Sequence, residues 1–322
     1  MLAYVIRRTL FVIPVVFGVA LVVFILFNVV GWNAAAQMLG RHATPAEIAT
    51  LQQQLGLAGP KWLNWQAARQ GPWYQLFDSQ FCRYLKQIVT LDFGRSFASN
   101  QKISTLILNG ILPSLALAVP IFLIETLVAI AVALVAAFYR NTLTDRVIVV
   151  SSVIMMSVSY LVYIMVAQQV LAYQWGWFPI WGFQSVRYLI LPVIVGGVSG
   201  LGSEVRFFRT VMLDEMYQDY VRTAFAKGCG QRAVLFKHVL KNAMIPILTS
   251  VVLAIPFLYS GNLLLETFFG IPGLGYLAVE AINSTDFPVI KATVLIGSIL
   301  YVFASLITDI CYALVDPRIK LR

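Results

Sequence analysis

The sequence predicts an all-α integral membrane protein with six transmembrane helices, both termini in the cytoplasm and a long helical loop outside the membrane after the first span. Three observations predict it. Hydrophobic residues make up 60% of the 322 residues and charged residues only 11%, against about 25% charged in soluble globular chains. The apolar residues gather into runs long enough to cross a hydrocarbon core, which takes about 20 residues. Lys and Arg are segregated between the two sides of those runs, the pattern that orients membrane proteins.

The first span is 9–30, an uncharged run. A basic start followed by an apolar run also suits a signal peptide, but this run continues too far and shows no small-residue cleavage pattern, so it reads as a retained span. The second span is 115–138, with Glu125 its single charge, and the third is 147–173. The fourth, 188–203, is short and carries Gly196, Gly197, Gly200 and Gly202, which suit close helix packing in lipid. The fifth is 243–265 and the sixth is 292–313. Fourteen Lys and Arg flank the spans on one side, including Arg7, Arg8, Arg140 and Arg146, and two, Arg187 and Lys291, lie in the short loops opposite. The richer side is the cytoplasm.

Residues 31–102 form the long outer loop. Thr44-Pro45-Ala46-Glu47 is a capping box with proline at the first helical position, so a helix begins at Pro45 and ends at Gly56. Within 62–78, Trp62, Trp65, Trp73, Tyr74 and Phe77 stand in a polar stretch. Such a segment is either an amphipathic elaboration at the membrane surface or a docking surface, and the first is preferred. A later outer loop, Glu266 to Gly275, holds Gly270, Pro272 and Gly273, which exclude a continuous helix. Irregular backbone at membrane depth must be shielded or line a cavity.

Residues 217–246 are the most polar long segment of the second half. Leu213, Met216, Tyr217, Tyr220 and Ala224 keep helical spacing up to Gly228. Past Gly230, Leu235 and Val239 share a face with Phe236 and Leu240, with Lys237, His238 and Lys241 opposite. Glycine permits the positive φ of a tight helix exit. The segment therefore reads as helix, sharp turn, helix, basic on its exposed side.

Asp219-Tyr220-Val221-Arg222-Thr223-Ala224-Phe225-Ala226-Lys227-Gly228 and Ala233-Val234-Leu235-Phe236-Lys237-His238-Val239-Leu240-Lys241-Asn242-Ala243-Met244-Ile245-Pro246 resemble the cytoplasmic coupling loop of permease subunits in ATP-binding-cassette importers, in the dipeptide/oligopeptide/nickel branch. Phe225 stands where that branch usually has arginine. Leu55-Gly56-Leu57, Asp92-Phe93-Gly94-Arg95-Ser96-Phe97, Glu266-Thr267-Phe268-Phe269-Gly270-Ile271-Pro272-Gly273-Leu274-Gly275, Asp286-Phe287-Pro288 and Asp316-Pro317-Arg318 are similar to the branch as well. The segment near 62–78 looks like an insertion relative to it.

The resemblance implies a first helix at 1–30, a periplasmic loop at 31–102, a five-helix type I importer core at 103–315 with a coupling loop at 214–242, and a cytoplasmic tail at 316–322. It implies a multi-pass protein of the bacterial inner membrane that works by alternating access. Its partners would be a second homologous permease subunit, two cytoplasmic ATPase subunits and a periplasmic or lipid-anchored substrate-binding protein. Asp219, Tyr220, Arg222, Thr223, Ala224, Lys227, Gly228, Arg232 and Lys237 would couple the chain to its ATPase. ATP would bind to the partner subunits, and no cofactor to this chain.

The residues themselves exclude much else. The basic excess flanks spans rather than interleaving with aromatics on a soluble domain, which argues against nucleic acid. Cys82, Cys229 and Cys311 lie far apart and His42 and His238 are the only histidines, so neither a disulfide framework nor a metal site is indicated. No phosphate-binding loop motif and no catalytic set is present, so the chain reads as a transport subunit rather than an enzyme. An intramembrane carboxylate is costly and marks a candidate functional site. For Glu125 three roles stay open, in this order: structural pairing with a neighbouring helix, lining of a translocation path that meets a cationic group, and proton relay. Ser260, Asn262 and Glu266 are further path candidates. An ion-coupled secondary carrier is the alternative function, but it calls for an inverted repeat and several buried titratable groups.

Overall fold

The computed structural model describes residues 2–29, 44–54, 59–65, 69, 71–258 and 262–315. The chain folds as two compact units, one built on Ile111–Tyr276 with the stretch from Phe303, the other on Ile6–Gly110 with Leu277–Val302. Among the described residues the structure is helical, with one isolated bridge between Arg95 and Lys102.

In chain order the helices are α1 (Leu2–Phe24), α2 (Pro45–Gln54), α3 (Gln80–Thr90), α4 (Ile103–Phe138), α5 (Leu143–Ser157), α6 (Tyr160–Ala167), α7 (Arg187–Met216), α8 (Asp219–Ala226), α9 (Gln231–Ala233), α10 (Leu240–Leu258), α11 (Leu263–Phe269), α12 (Leu274–Asn283) and α13 (Phe287–Val315). Wider π turns extend α1 over Ile25–Val29 and α6 over Gln168–Gln174, and Val234–Val239 joins α9 to α10. Five helices are long and apolar enough to cross a bilayer, and two further segments are helix pairs bent by 90° and 77°.

Several expectations are corrected. The third span is no single rod: it breaks between α5 and α6. Val158 and Ser159 are extended there, with ψ of 129° and 140°, and the Ser159 carbonyl accepts the Val162 N–H to start the next helix. The fourth span belongs to a longer helix. α7 runs for 30 residues and carries Glu204, Arg206 and Arg209 past residue 203. The second runs for 36 residues with Pro113 and Pro120 inside it, about 54 Å at 1.5 Å per residue. That exceeds the ~30 Å hydrocarbon core, so its ends stand outside it. The fifth helix is described as far as Leu258, and Asn262 is non-helical before a separate helix starts at Leu263, so the stretch to residue 265 is not one rod.

A charge tolerated inside α7 has a visible partner. Arg209 donates two hydrogen bonds to buried Asp145 of α5, at 2.6 and 2.8 Å, a bidentate geometry. The same carboxylate accepts the Asn141 N–H at 3.0 Å. Close helix approach is set by glycine. A Cβ on Gly202 would sit 2.6 Å from the Ser152 carbonyl oxygen, and one on Gly196 2.5 Å from the Ile121 side chain.

In the other unit, the capping box at α2 is present. Thr44 N–H donates to Glu47 at 2.8 Å and Glu47 N–H to the Thr44 hydroxyl at 3.4 Å. These bonds favour the ionised form and hold the Glu47 carboxyl below its usual range. Gly56, His42 and Leu57 lie outside the described residues. Phe81 and Tyr84 of α3 and Trp62 all stack on Phe24 of the first span. Trp65, Tyr74 and Phe77 stay exposed. Two motifs far apart in sequence meet: buried Asp286 accepts the Ser96 hydroxyl at 2.5 Å and the Phe97 and Ala98 N–H groups at 3.2 Å each.

Candidate functional site

The polar segment after α7 folds as a knuckle. The sequence suggested one helix into Gly228, but α7 ends at Met216 and α8 starts afresh at Asp219, after extended Gln218. At the far end Gly228 has φ +82°. Its N–H donates to the Phe225 carbonyl at 2.9 Å, and the Cys229 N–H donates to Ala224 at 3.2 Å. This pair of bonds is the Schellman arrangement, with glycine at the left-handed position. Extended Gly230 then caps α9, and Val234 N–H donates back to its carbonyl at 3.0 Å.

The knuckle's apolar stripe is buried within this chain. Val221, Ala224, Val234, Leu235 and Val239 join Ala129, Ala133 and Ala137 of α4 and Val205, Phe208 and Met212 of α7 in one core cluster. Alanines on α4 leave room for the knuckle to sit close. The π turn changes which residues face in. Phe236, expected beside Leu235 and Leu240, points outward instead, because a wider turn shifts the helical register.

The nine sequence-predicted coupling residues divide into two groups. Ala224 is buried and Tyr220 half-buried. The Tyr220 hydroxyl donates to Glu215, and burial with that bond pushes it up to about 12, so it remains a donor at physiological pH. These two hold the knuckle's shape. Asp219, Arg222, Thr223, Lys227, Gly228, Arg232 and Lys237 are exposed. Among them stand two aromatics that sequence reasoning did not select, Phe225 at 46% exposure and Phe236 at 56%. Exposed aromatics and exposed cations in one short segment have the composition of a protein-docking surface. The signal for Phe225 was available, since it replaces an arginine.

The path candidates form a second constellation in the same unit. Glu266 is fully buried. Its Oε1 accepts the Ser114 hydroxyl at 2.7 Å and the Asn262 N–H at 3.2 Å, and its Oε2 accepts the Tyr276 N–H at 3.0 Å. Ser114 in turn accepts the Leu274 N–H at 2.8 Å. Glu266 thus ties α11, α12 and α4 together across the bend, and no part of it is open to solvent in this conformation. A Cβ on Gly273 would lie 2.4 Å from its Oε2, and one on Gly270 2.1 Å from the Trp181 ring. Glycine at both places is a packing requirement.

Asn262 accepts the Tyr160 hydroxyl at 3.0 Å. Tyr160 lies within electrostatic reach of Glu125, so a polar seam links Glu125, Tyr160, Asn262 and Glu266. Tyr160 was not foreseen. Glu125 also has the acidic neighbour the sequence did not reveal: Glu204 of α7 interacts with it electrostatically. Gly200 makes the space, since a Cβ there would come within 1.9 Å of the Glu125 carboxylate. Ser260 lies outside the described residues. Among the described residues, no three of His, Cys, Asp and Glu come together to hold a metal.

A bundle of long apolar helices with a shaped, basic knuckle defines a membrane transport component, and the comparisons agree. The family described as binding-protein-dependent transport system inner membrane component matches residues 129–321, and its N-terminal counterpart matches residues 1–118. The chain belongs to this family. It is 31% identical to the dipeptide transport system permease protein DppB of Alkalihalophilus pseudofirmus over 99% of this chain and 100% of that protein. It is 33% and 32% identical to the glutathione transport system permease proteins GsiC of Salmonella paratyphi A and Escherichia coli, each over the full length of both chains. The chain is therefore a multi-pass inner-membrane permease of a binding-protein-dependent system, not an ion-coupled secondary carrier.

Proposed function

We propose that this chain is one permease subunit of an ATP-driven importer for dipeptides, glutathione-like peptides or related small solutes. It works by alternating access beside a second, homologous permease subunit. Two cytoplasmic ATPase subunits supply the energy, and an external binding protein delivers the solute. The observation that carries this reading is the knuckle. Its apolar stripe is fixed to the chain's own helices, so displacement of its exposed face is passed to α4 and α7 rather than lost in a flexible loop. Both termini and the knuckle then lie in the cytoplasm.

The dipeptide and glutathione for which the relatives are named support the peptide class. Within the permease, the seam from Glu125 to Asn262 offers carboxylate and amide groups to a peptide's ammonium and backbone. Reconstitution tests the reading. Proteoliposomes holding this chain with its partner permease, ATPase subunits and binding protein take up labelled dipeptide or glutathione only with ATP inside the ATPase-accessible compartment. Uptake driven by a proton or sodium gradient alone, without ATP, would overturn it.

A further inference from the structure

A cavity of about 310 Å³ in the unit of Ile6–Gly110 and Leu277–Val302 has no role in the reading above. Its size falls in the range of small-ligand sites. Lys291, Arg83 and Arg95 line it, and among the described residues lining it there is no carboxylate. Lys291 is held in place: its ammonium donates to Asn28 Oδ1 at 2.6 Å and lies 5.8 Å from the Phe27 ring centre. Asn28 is itself fixed by donating to Gln80 at 3.0 Å. The Tyr84 hydroxyl, also in the lining, is buried with no hydrogen-bond partner among the described residues. Burial pushes it well above its usual range, so it stays a donor. Three cationic residues line one space. Arg83 also lies 3.8 Å from the Asp78 carboxylate and Arg95 donates to the Asn100 carbonyl at 3.0 Å, and the donors they have left, with the Lys291 ammonium, suit an anion with oxygen acceptors.

Position selects the anion. Asn28 stands at the end of the apolar run Thr9–Val29, and Lys291 near the start of Phe287–Thr308. Helix α3 is amphipathic and lays Phe81 against Phe17 and Phe24 of the first span, as an interfacial helix does. The cavity therefore opens where hydrocarbon gives way to headgroups. The geometry points to a binding site for the phosphate of an anionic phospholipid, seated between Lys291, Arg83 and Arg95, with the acyl chains along the first span. This inference is independent of which solute the importer carries.

Thermal unfolding of the purified full-length chain in detergent tests it. Short-chain phosphatidylglycerol raises the Tm saturably, and short-chain phosphatidylcholine, whose choline cation offsets the phosphate, raises it far less. The double variant Arg83→Gln/Arg95→Gln alters two exposed side chains and leaves the buried lining intact. Its half-saturating phosphatidylglycerol concentration rises about thirtyfold, roughly fivefold per cation removed. Lys86→Gln, on the same helix but outside the lining, leaves that concentration unchanged. An absent shift, an unchanged response in the double variant, or an equal shift with inorganic phosphate or N-acetylglutamate would each overturn the lipid assignment.

Discussion

Deletion of residues 223–230, or Gly228→Asp, abolishes ATP-coupled uptake while the chain still inserts into the membrane. The two changes act differently. The deletion removes the turn and, of its exposed cations, Lys227. Gly228→Asp keeps the fold almost intact, because a Cβ at Gly228 meets nothing within 4 Å. Its cost is the left-handed backbone, about 1 kcal/mol, and aspartate tolerates that region better than most residues. Its damage falls on the surface, since a carboxylate enters a segment that exposes Arg222, Lys227, Arg232 and Lys237. Gly228→Ala carries the same backbone cost without the charge and retains most uptake. Phe225→Ala and Phe236→Ala, at exposed positions, lower uptake without lowering thermal stability. Membrane-fraction immunoblots paired with uptake and ATPase assays separate these cases. Full ATP-driven uptake by the Gly228→Asp protein would contradict the account.

Glu266→Ala lowers the protein's thermal stability sharply, by about 3–5 kcal/mol. The buried carboxylate accepts three donors, from Ser114, Asn262 and Tyr276. Each donor left unpaired costs about 1–3 kcal/mol, and partial relaxation keeps the total below the simple sum. Glu266→Gln is milder, about 1–2 kcal/mol, because Oε1 is retained and only the acceptor for Tyr276 N–H is lost. Equal stability of Glu266→Ala and the unmodified chain, by thermal unfolding in detergent, would show that the bend between α11 and α12 does not rest on this residue. The pair separates two roles for Glu266: a stability loss marks the strut, and lost uptake at unchanged stability marks a path residue.

What the sequence made legible, and what it hid, follows from the range of the interactions involved. Local chemistry was readable. The Thr44–Glu47 capping box lies within four residues, and the Gly228 turn needs only a left-handed glycine between two periodic segments. The break at Val158–Ser159 was hidden because neither proline nor glycine marks it, and its extended backbone is set by tertiary packing. The outward turn of Phe236 was hidden because a π turn leaves no compositional trace. Charges inside α7 argued for a short fourth span. For Arg209 the partner is Asp145, 64 residues earlier in the chain and beyond any local pattern. Glu125 looked solitary for the same reason: Glu204 and Tyr160 reach it from other helices. Of the donors to Glu266, the Ser114 hydroxyl lies 152 residues away in sequence, so only the fold reveals that bond.

Photo-cross-linking in membranes shows whether the exposed face of the knuckle seats the ATPase, with benzoylphenylalanine placed at Phe225 and Phe236 in the assembled transporter. Exposed Trp175, just past the π turn that extends α6, serves as the control position. A covalent adduct with the ATPase subunit is expected from Phe225 and Phe236, its yield changing when ATP is added, and none from Trp175. Labelling of either knuckle position by a membrane-impermeant reagent from outside the cell, or adducts formed only with lipid, would contradict that seating.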